Sequence, residues 1–175
     1  MKACPLCPHH CLLSEDQTGF CRARGGEGGE NCLTYGAISA LALDPIEKKP
    51  LRRFHPGGMV LSVGGFGCNL RCPFCQNHEI SMASPADAQR TTPESLVSLA
   101  DSLKGRGNIG LAYTYNEPLV GYEFVRDCAV QIRARGMQNV LVTNGCFCLE
   151  PLADLIGLID AANVDLKAFT QEGYD

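Results

Sequence analysis

Residues 64–77 read GGFGCNLRCPFCQN, and they place Cys68, Cys72 and Cys75 at C-x3-C-x2-C spacing directly after the apolar run 59–63. Three thiolates can hold three irons of a [4Fe-4S] cube, whereas ordinary electron-transfer clusters take four cysteines. One iron would therefore stay open to a ligand that is not part of the protein, and substrate chemistry could take place there. The spacing thus points to a catalytic cluster.

The residues around the three cysteines favour a loop that wraps closely around its ligand. Gly64, Gly65 and Gly67 permit tight backbone turns, and Pro73 opposes a helix through the cysteines. A structural zinc site is the alternative. Zinc sites usually take four protein ligands, so the fourth cysteine would have to come from a distant part of the chain.

The segment GCNLRCPFCQN, residues 67–77, resembles the signature of the radical SAM enzymes. In that family the open iron chelates S-adenosylmethionine through its amino and carboxylate groups. The resemblance implies that Cys68, Cys72 and Cys75 bind a [4Fe-4S] cluster and that S-adenosylmethionine is the second cofactor. It also implies an electron donor, such as flavodoxin or ferredoxin, as a partner.

The composition is that of an ordinary globular protein. The 175 residues carry 15 Lys and Arg against 19 Asp and Glu, a net charge of -4, and no basic stretch forms a face for nucleic acid. Residues 1–5 lack the apolar core of a signal peptide, and no run is long enough to cross a bilayer. We therefore expect a soluble, cytoplasmic protein that binds neither nucleic acid nor membranes.

Eleven cysteines are unevenly distributed along the chain. Without export these thiols should stay reduced, which favours metal binding over disulfides. The segment 1–33 has little periodicity, so a metal there could substitute for a core. It offers four ligands, with zinc as the favoured ion and a second iron-sulfur cluster or no metal as open alternatives; the four are Cys4, Cys7, Cys11 and Cys21.

Several other cysteines and glycines have simpler interpretations. Cys128 lies in a predicted helix and reads as a small buried hydrophobe, while Cys146 and Cys148 read as core or loop thiols. The glycine-rich stretch 25–29 predicts a flexible surface turn.

Residues 34–58 predict an extended connector, because the two prolines of DPIEKKPL, residues 44–51, prevent a continuous helix. The charges at 47–49 predict a solvated run. DPIEKKPL nevertheless belongs to a set of motifs that resemble one group within the radical SAM enzymes. The others are the N-terminal cysteine pattern, YTYNEP at 113–118 and VDLK at 164–167. All of them, in order, resemble the radical SAM enzyme of the AmmeMemoRadiSam system, which is related to the pyruvate formate-lyase activating enzymes. That likeness implies Memo-like and AMMECR-like proteins as partners.

Strands and helices alternate after residue 58. Thr92 and Pro93 predict a helix start, with an apolar face formed by Leu96, Leu99, Ala100 and Leu103. Predicted strands cover 59–63, 109–113, 140–142 and 162–166, and predicted helices cover 92–105, 116–136 and 151–159. The alternation indicates an α/β fold with a parallel sheet or barrel. The resemblance implies a partial (β/α) barrel of radical SAM type over residues 59–175, with about four βα units.

Polar residues follow the predicted strands at their carboxyl ends, which form the functional face of βα arrays. The candidate cofactor-binding residues are Asn116, Glu117, Thr143, Asn144, Asp165 and Lys167. The resemblance implies that Glu117 hydrogen-bonds the amino group of S-adenosylmethionine, although Tyr115-Asn116 stand where two glycines are usual. A first-turn carboxylate favoured by the helix dipole is the alternative for Glu117.

The strand at 162–166 ends in a second pair of candidates. Lys167 offers a cation for the methionyl carboxylate, and Asp165 offers an acceptor for ribose hydroxyls or a partner for the lysine. A purely structural ion pair between them stays open. Val142 stands where the activating enzymes are expected to carry an acidic residue.

Reductive cleavage of S-adenosylmethionine to a 5'-deoxyadenosyl radical, which abstracts hydrogen from an unidentified substrate, is the predicted activity. A glycyl-radical activase acting on a protein is the alternative enzyme, and a non-catalytic metal-binding module is the alternative of another class. We also expect an incomplete domain, because the resembling family uses about six βα units and residues 59–175 accommodate about four. The strand at 162–166 would then be an uncovered edge.

Overall fold

The computed structural model describes residues 1–85 and 88–174, so that Ala86, Asp87 and Asp175 of the predicted core lie outside the described residues. The strands are β1 (Lys2–Ala3), β2 (Leu12–Leu13), β3 (Arg24–Gly25), β4 (Asn31–Cys32), β5 (Ala37–Ile38), β6 (Ala40–Pro45), β7 (Met59–Gly64), β8 (Gln89–Arg90), β9 (Asn108–Tyr113), β10 (Gln138–Thr143) and β11 (Ala161–Val164). The α-helices are α1 (His78–Ser81), α2 (Pro93–Ser102) and α3 (Tyr122–Ala134). Short 3-10 helices cover Glu27–Gly29, Ile46–Lys48, Lys104–Arg106, Pro118–Gly121, Glu150–Leu155 and Gln171–Gly173. Within the described residues, no helix has both the length and the apolar character of a membrane span.

The described residues build a central five-stranded sheet in the order β11-β10-β9-β7-β6. The first four of these strands run parallel, and β6 pairs antiparallel with β7. The strands predicted after residue 58 are therefore confirmed as β7, β9, β10 and β11, and the α/β class is confirmed with them. The partial barrel stays an expectation, because the described strands form a sheet with β6 and β11 as its edges.

The three inner strands of the central sheet, β7, β9 and β10, are buried on both faces. Leu61 and Leu111 belong to the large apolar cluster that includes the helices α2 and α3. Val60 and Val140 belong to a second cluster with Ile46 on the opposite face. Alternating side chains of one strand thus enter different clusters, as the two-residue period requires. Burial on both faces explains why these strands are continuous apolar runs in the sequence.

The helix α2 begins where the sequence predicts, because Thr92 Oγ1 accepts a hydrogen bond from Ser95 N at 3.2 Å. The prediction of its buried face is partly wrong. Val97 is fully buried, whereas Leu99 is 39% exposed. The helix already ends at Ser102, and the stripe that packs on the sheet is centred on Val97, so Leu99 points away from the core.

The predicted helix 116–136 begins as a 3-10 turn and continues as α3, with Cys128 fully buried as expected. The prediction of a helix over 151–159 is wrong, because Glu150–Leu155 forms 3-10 turns and Ile156 is 84% exposed. Gly157 then adopts a φ of +80°, which ends any helical path.

Residues 34–58, predicted as an extended connector, contribute a strand to the central sheet. Every residue of β6 pairs with β7, and the following 3-10 turn brings Ile46 onto the sheet face opposite the helices. The prediction of a solvated charge run at 47–49 is wrong for Lys49. That side chain is buried, and its Nζ lies 3.0 Å from Oδ2 of Asp44. Its burial is tolerated because the carboxylate neutralises the ammonium.

The cysteine-rich segment 1–33 contains the antiparallel pairs β1–β2 and β3–β4. The prediction of a flexible surface turn at 25–29 is wrong, since Gly28 and Gly29 are buried. Gly29 has a φ of +72°, and a Cβ there would lie 2.7 Å from Sγ of Cys4. The glycine is therefore needed for close packing against a cysteine.

Candidate functional site

A cavity of about 590 Å³ lies at the carboxyl ends of the parallel strands. The structure brings the three loop cysteines and all six candidate cofactor-binding residues to its wall, namely Cys68, Cys72, Cys75, Asn116, Glu117, Thr143, Asn144, Asp165 and Lys167. Val142 lines the same cavity and adds an apolar patch where the activating enzymes were expected to have a carboxylate. Residues that lie about 100 positions apart in the chain thus meet because parallel strands end at one edge of a sheet.

The cysteine loop is held close to the N-terminal segment. Gly67 has a φ of +88°, and a Cβ there would lie 2.5 Å from the carbonyl oxygen of Cys21. That same carbonyl accepts a hydrogen bond from Cys68 N at 3.2 Å. Sγ of Cys68 in turn accepts a hydrogen bond from Leu70 N at 3.4 Å. The sequence alone identified the glycine but not the chain segment that presses against it.

The thiol of Cys68 has a raised pKa, so it is protonated at neutral pH in the absence of a cation. Burial raises the pKa of Cys68 to about 11; the Leu70 N–H lowers it, and the charges of Glu117 and of the other two loop cysteines raise it further. Within residues 1–85 and 88–174, no three Cys, His, Asp or Glu side chains are already arranged around one ion position. Binding at either cysteine set therefore requires the side chains to turn inward and the thiols to lose their protons.

Glu117 is almost completely buried in the cavity wall, with 2% of its surface exposed. Its Oε1 accepts hydrogen bonds from Leu119 N at 3.1 Å and from Thr143 Oγ1 at 2.8 Å, and its Oε2 accepts one from Asn144 N at 2.7 Å. Burial raises the pKa of Glu117 to about 7, although these donors and Lys167 lower it. The carboxylate thus ties the end of β9 to the end of β10.

The side chain of Asn116 hydrogen-bonds to the glycine-rich stretch that precedes the cysteines. Its Oδ1 accepts a hydrogen bond from Gly65 N at 2.9 Å, and its Nδ2 donates to the carbonyl oxygens of Phe66 and Gly67 at 3.2 and 3.1 Å. The amide therefore fixes the backbone from which the cysteine loop starts.

Asp165 and Lys167 form an ion pair at the cavity rim, with Nζ 3.1 Å from Oδ2. Both side chains are partly exposed, at 42% and 28%. Burial lowers the pKa of Lys167, but the hydrogen bond and charge of Asp165 more than offset this effect and leave the pKa raised. The ion pair that the sequence left open is present, and its exposed atoms still face the cavity.

Asn69 was missed by the sequence analysis. It is fully buried, its Nδ2 donates to the carbonyl oxygen of Cys146 at 2.7 Å, and its Oδ1 accepts from Asn144 Nδ2 at 2.8 Å. The same Asn144 amide lies 3.9 Å from Sγ of Cys68. An asparagine between two cysteines gave no signal of this, because its partners lie more than 70 positions away.

Tyr115 was also missed as a contact residue. It has a φ of +71°, rare for a side chain of this size. Its hydroxyl donates to Oδ2 of Asp44 at 2.7 Å, and Nζ of Lys49 lies 5.0 Å from its ring centre. Burial and the Asp44 charge raise the pKa of Tyr115 to about 12. The DPIEKKPL stretch thus contacts the wall of the cavity through Tyr115, which sequence spacing could not show.

The N-terminal cysteines line a separate small cavity of about 10 Å³, which contains Cys4, Cys7, Cys11 and Cys21. Burial raises the pKa of Cys7 to about 11, which the backbone at His9 lowers and the neighbouring thiols raise further. Cys146 and Cys148 are half-buried thiols in the loop after β10, as predicted.

Comparison with known proteins gives two matches. The residue pattern of the Radical SAM superfamily matches residues 62–175. An uncharacterized protein, MJ0808, of Methanocaldococcus jannaschii is 44% identical over 168 residues, which cover 94% of this chain and 49% of that protein. The chain therefore spans about half the length of the curated relative that it matches.

Proposed function

This chain belongs to the Radical SAM superfamily, and from that premise we propose that it binds a [4Fe-4S] cluster through Cys68, Cys72 and Cys75, with S-adenosylmethionine beside it. When bound, the cluster supplies the electron that cleaves S-adenosylmethionine to methionine and a 5'-deoxyadenosyl radical, which abstracts hydrogen from a substrate. One observation carries the proposal: three thiols face the polar carboxyl ends of neighbouring strands across a single cavity.

The donor set and the space both suit these groups. Three thiols at one side of the cavity match a cluster with one iron left open. The volume of about 590 Å³ lies in the range of cofactor pockets, which is roughly 300 to 1,000 Å³. The Leu70 N–H at Sγ of Cys68 stabilises the thiolate that a metal requires.

Lys167 and Asp165 are proposed to bind the methionyl and ribose groups of S-adenosylmethionine, respectively. The ammonium of Lys167 would pair with the methionyl carboxylate, while Asp165 keeps that ammonium at the rim and offers its other oxygen to ribose hydroxyls. Both side chains are partly exposed at the cavity. Oδ1 of Asp165 already accepts a hydrogen bond from Asn163 Nδ2 at 2.6 Å, and its second lone pair is left for such a contact.

Glu117 is proposed to act mainly by positioning. Its Oε1 accepts two hydrogen bonds and its Oε2 accepts one, so one lone pair of Oε2 is left for the amino group of S-adenosylmethionine. Thr143 and Asn144 are held through these same bonds. Asn116 fixes the backbone that carries the cysteine loop.

The motifs DPIEKKPL at 44–51 and YTYNEP at 113–118 support a finer proposal. The enzyme is proposed to resemble that of the AmmeMemoRadiSam system and, more distantly, the pyruvate formate-lyase activating enzymes. On this proposal flavodoxin or ferredoxin donates the electron, and Memo-like and AMMECR-like proteins are partners. The contact of Tyr115 with Asp44 supports it, because it connects the two motifs physically.

Anaerobic reconstitution of a matched pair of variants tests the proposal. Cys72→Ala should lose iron and lose cleavage of S-adenosylmethionine, because two remaining thiols cannot hold the cluster. Cys148→Ala, which alters a half-buried loop thiol, should keep both. In the wild type, addition of S-adenosylmethionine should change the electron paramagnetic resonance spectrum of the reduced cluster. Wild-type iron content and turnover in Cys72→Ala would refute the proposal.

A further inference from the structure

Four thiols that the proposed function does not use surround the small N-terminal cavity. Cys4, Cys7 and Cys21 are buried and Cys11 is half-buried, and all four line the same space of about 10 Å³. They come from both sides of β2, so the fold brings together side chains up to 17 positions apart. Four thiols gathered in this way are the donor set that structural zinc prefers, and their side chains would turn inward to surround one ion.

The size of the cavity favours an ion over a cluster. A space of about 10 Å³ accommodates roughly one water-sized sphere. A cube of four irons and four sulfurs is larger, so it would displace the walls further than a single ion does. Leu6, Phe20 and Val120 close the space with apolar side chains and keep water from the thiols.

The backbone between the thiols is held in place by hydrogen bonds. Cys4 N donates to the carbonyl oxygen of Cys11 at 2.9 Å, and His10 N donates to that of Cys7 at 3.1 Å. Phe20 N points at Sγ of Cys11, 3.5 Å away. These contacts fix the backbone positions or the sulfur of three of the four cysteines.

Charge around the cavity is compatible with a metal thiolate centre. Four thiolates and one divalent ion leave a net charge of -2. Arg24, whose side chain lines the cavity, supplies a nearby guanidinium. Glu123 pairs with this guanidinium at 2.7 Å, which fixes its position.

We propose that Cys4, Cys7, Cys11 and Cys21 bind one Zn²⁺ ion, and that this ion fixes the loop of Cys68, Cys72 and Cys75. The zinc site does not depend on the proposed catalytic function. The importance of the fixed loop for binding the [4Fe-4S] cluster does rest on that function.

The link between the two cysteine sets is direct. The carbonyl oxygen of the ligand Cys21 accepts the hydrogen bond from Cys68 N at 3.2 Å. His9, which lies between the ligands Cys7 and Cys11, donates from Nε2 to the carbonyl oxygen of Asn69 at 2.7 Å. An ion that fixes the N-terminal ligand loops therefore also fixes two backbone groups of the catalytic loop.

Metal analysis of the full chain tests the site. Wild type and Cys72→Ser should both carry about one zinc per chain, as a four-thiolate structural site requires. Cys7→Ser should lose it, and Cys32→Ser, which alters a half-buried N-terminal thiol outside the cavity, should keep it. Zinc retained in Cys7→Ser would overturn the proposal. Iron with inorganic sulfide at this site in Cys72→Ser would overturn it as well.

A second measurement does not depend on the folding of a variant. Wild-type protein stripped by a chelator and titrated anaerobically with Co²⁺ should develop the intense absorption of tetrahedral cobalt thiolate and saturate at about one ion per chain. The absence of this absorption would overturn the proposal. Zinc should also slow hydrogen exchange at the Cys68 amide by about tenfold, which corresponds to the net contribution of one hydrogen bond. Unchanged exchange on zinc binding would overturn the effect on the loop.

Discussion

At the scale of single residues, Glu117 combines near-complete burial with three hydrogen-bond donors, and burial has the larger effect on its pKa. The pKa is about 7 in the fold, against an ordinary value of 4.5. Between these values the folded chain keeps a proton that the unfolded chain has released, so the free energy of unfolding falls as the pH rises. We expect a loss on the order of 3 kcal/mol between pH 4.5 and 7, which remains at higher pH.

Urea unfolding of wild type and Glu117→Gln across this pH window measures the effect. Glutamine does not ionise, so the variant should lack this part of the pH dependence, and the wild-type minus variant difference should fall as the pH rises. Glu150→Gln, which alters an exposed carboxylate, serves as control and should follow the wild type. Parallel curves for wild type and Glu117→Gln would show that Glu117 keeps an ordinary pKa.

Gly67 is the residue on which the shape of the cysteine loop depends most directly. A side chain there would combine a φ of +88° with a Cβ 2.5 Å from the carbonyl oxygen of Cys21. We expect Gly67→Ala to cost about 1 to 3 kcal/mol of stability, because the backbone of Gly67 or of Cys21 must move to make room for the Cβ. The same movement should reduce iron loading of the loop. Gly105→Ala, where a Cβ meets nothing within 4 Å, should change neither quantity. Equal iron content in both variants would contradict the expectation.

At the scale of elements, local pattern predicted the strands well and their partners poorly. The run 59–63 was identified because both of its faces are apolar, and Thr92 marked the start of α2 through its capping side chain. By contrast, the pairing of β6 with β7 is decided by contacts that no local pattern encodes. The cavity residues could be predicted from strand ends, whereas Asn69 and Tyr115 could not, because their partners are remote in sequence.

The turn after β6 offers a matched pair of lysines that both approach Asp44. Lys49 is 5% exposed and Lys48 is 65% exposed, and each Nζ lies 3.0 Å from a carboxylate oxygen. We expect Lys49→Met to destabilise the fold by about 2 to 3 kcal/mol, because it removes the buried cation that pairs with Asp44. The carboxylate keeps the Tyr115 hydroxyl and the exposed Lys48 as partners. Lys48→Met should cost about 1 kcal/mol or less, since water replaces the lost partner. Urea unfolding measures both, and similar costs would show that Asp44 is solvated.

At the scale of the whole molecule, segment 1–33 and the central sheet behave as one structure because they share buried polar contacts. The Cys21 carbonyl binds the cysteine loop, and Cys148 N donates to the carbonyl oxygen of Leu6 at 3.0 Å. Arg24, only 5% exposed, reaches α3, where its Nη1 lies 2.7 Å from both carboxylate oxygens of Glu123. These contacts place the N-terminal cysteines against the loop of Cys68, Cys72 and Cys75.

The Arg24–Glu123 pair provides a test of this coupling. Arg24→Met should cost about 2 to 3 kcal/mol, because it leaves Glu123, whose side chain is 20% exposed, without this partner. Hydrogen exchange should rise across residues 1–33 more than in the central sheet. Adding Glu123→Leu to Arg24→Met should recover part of the lost stability, because it removes the carboxylate that no longer has a partner. Arg126→Met, which breaks ion pairs with Asp127 and Asp154 whose members are all at least 34% exposed, should cost about 1 kcal/mol or less. If Arg24→Met costs no more than Arg126→Met, the pair does not hold the N-terminal segment, and the remaining contacts alone attach it to the sheet.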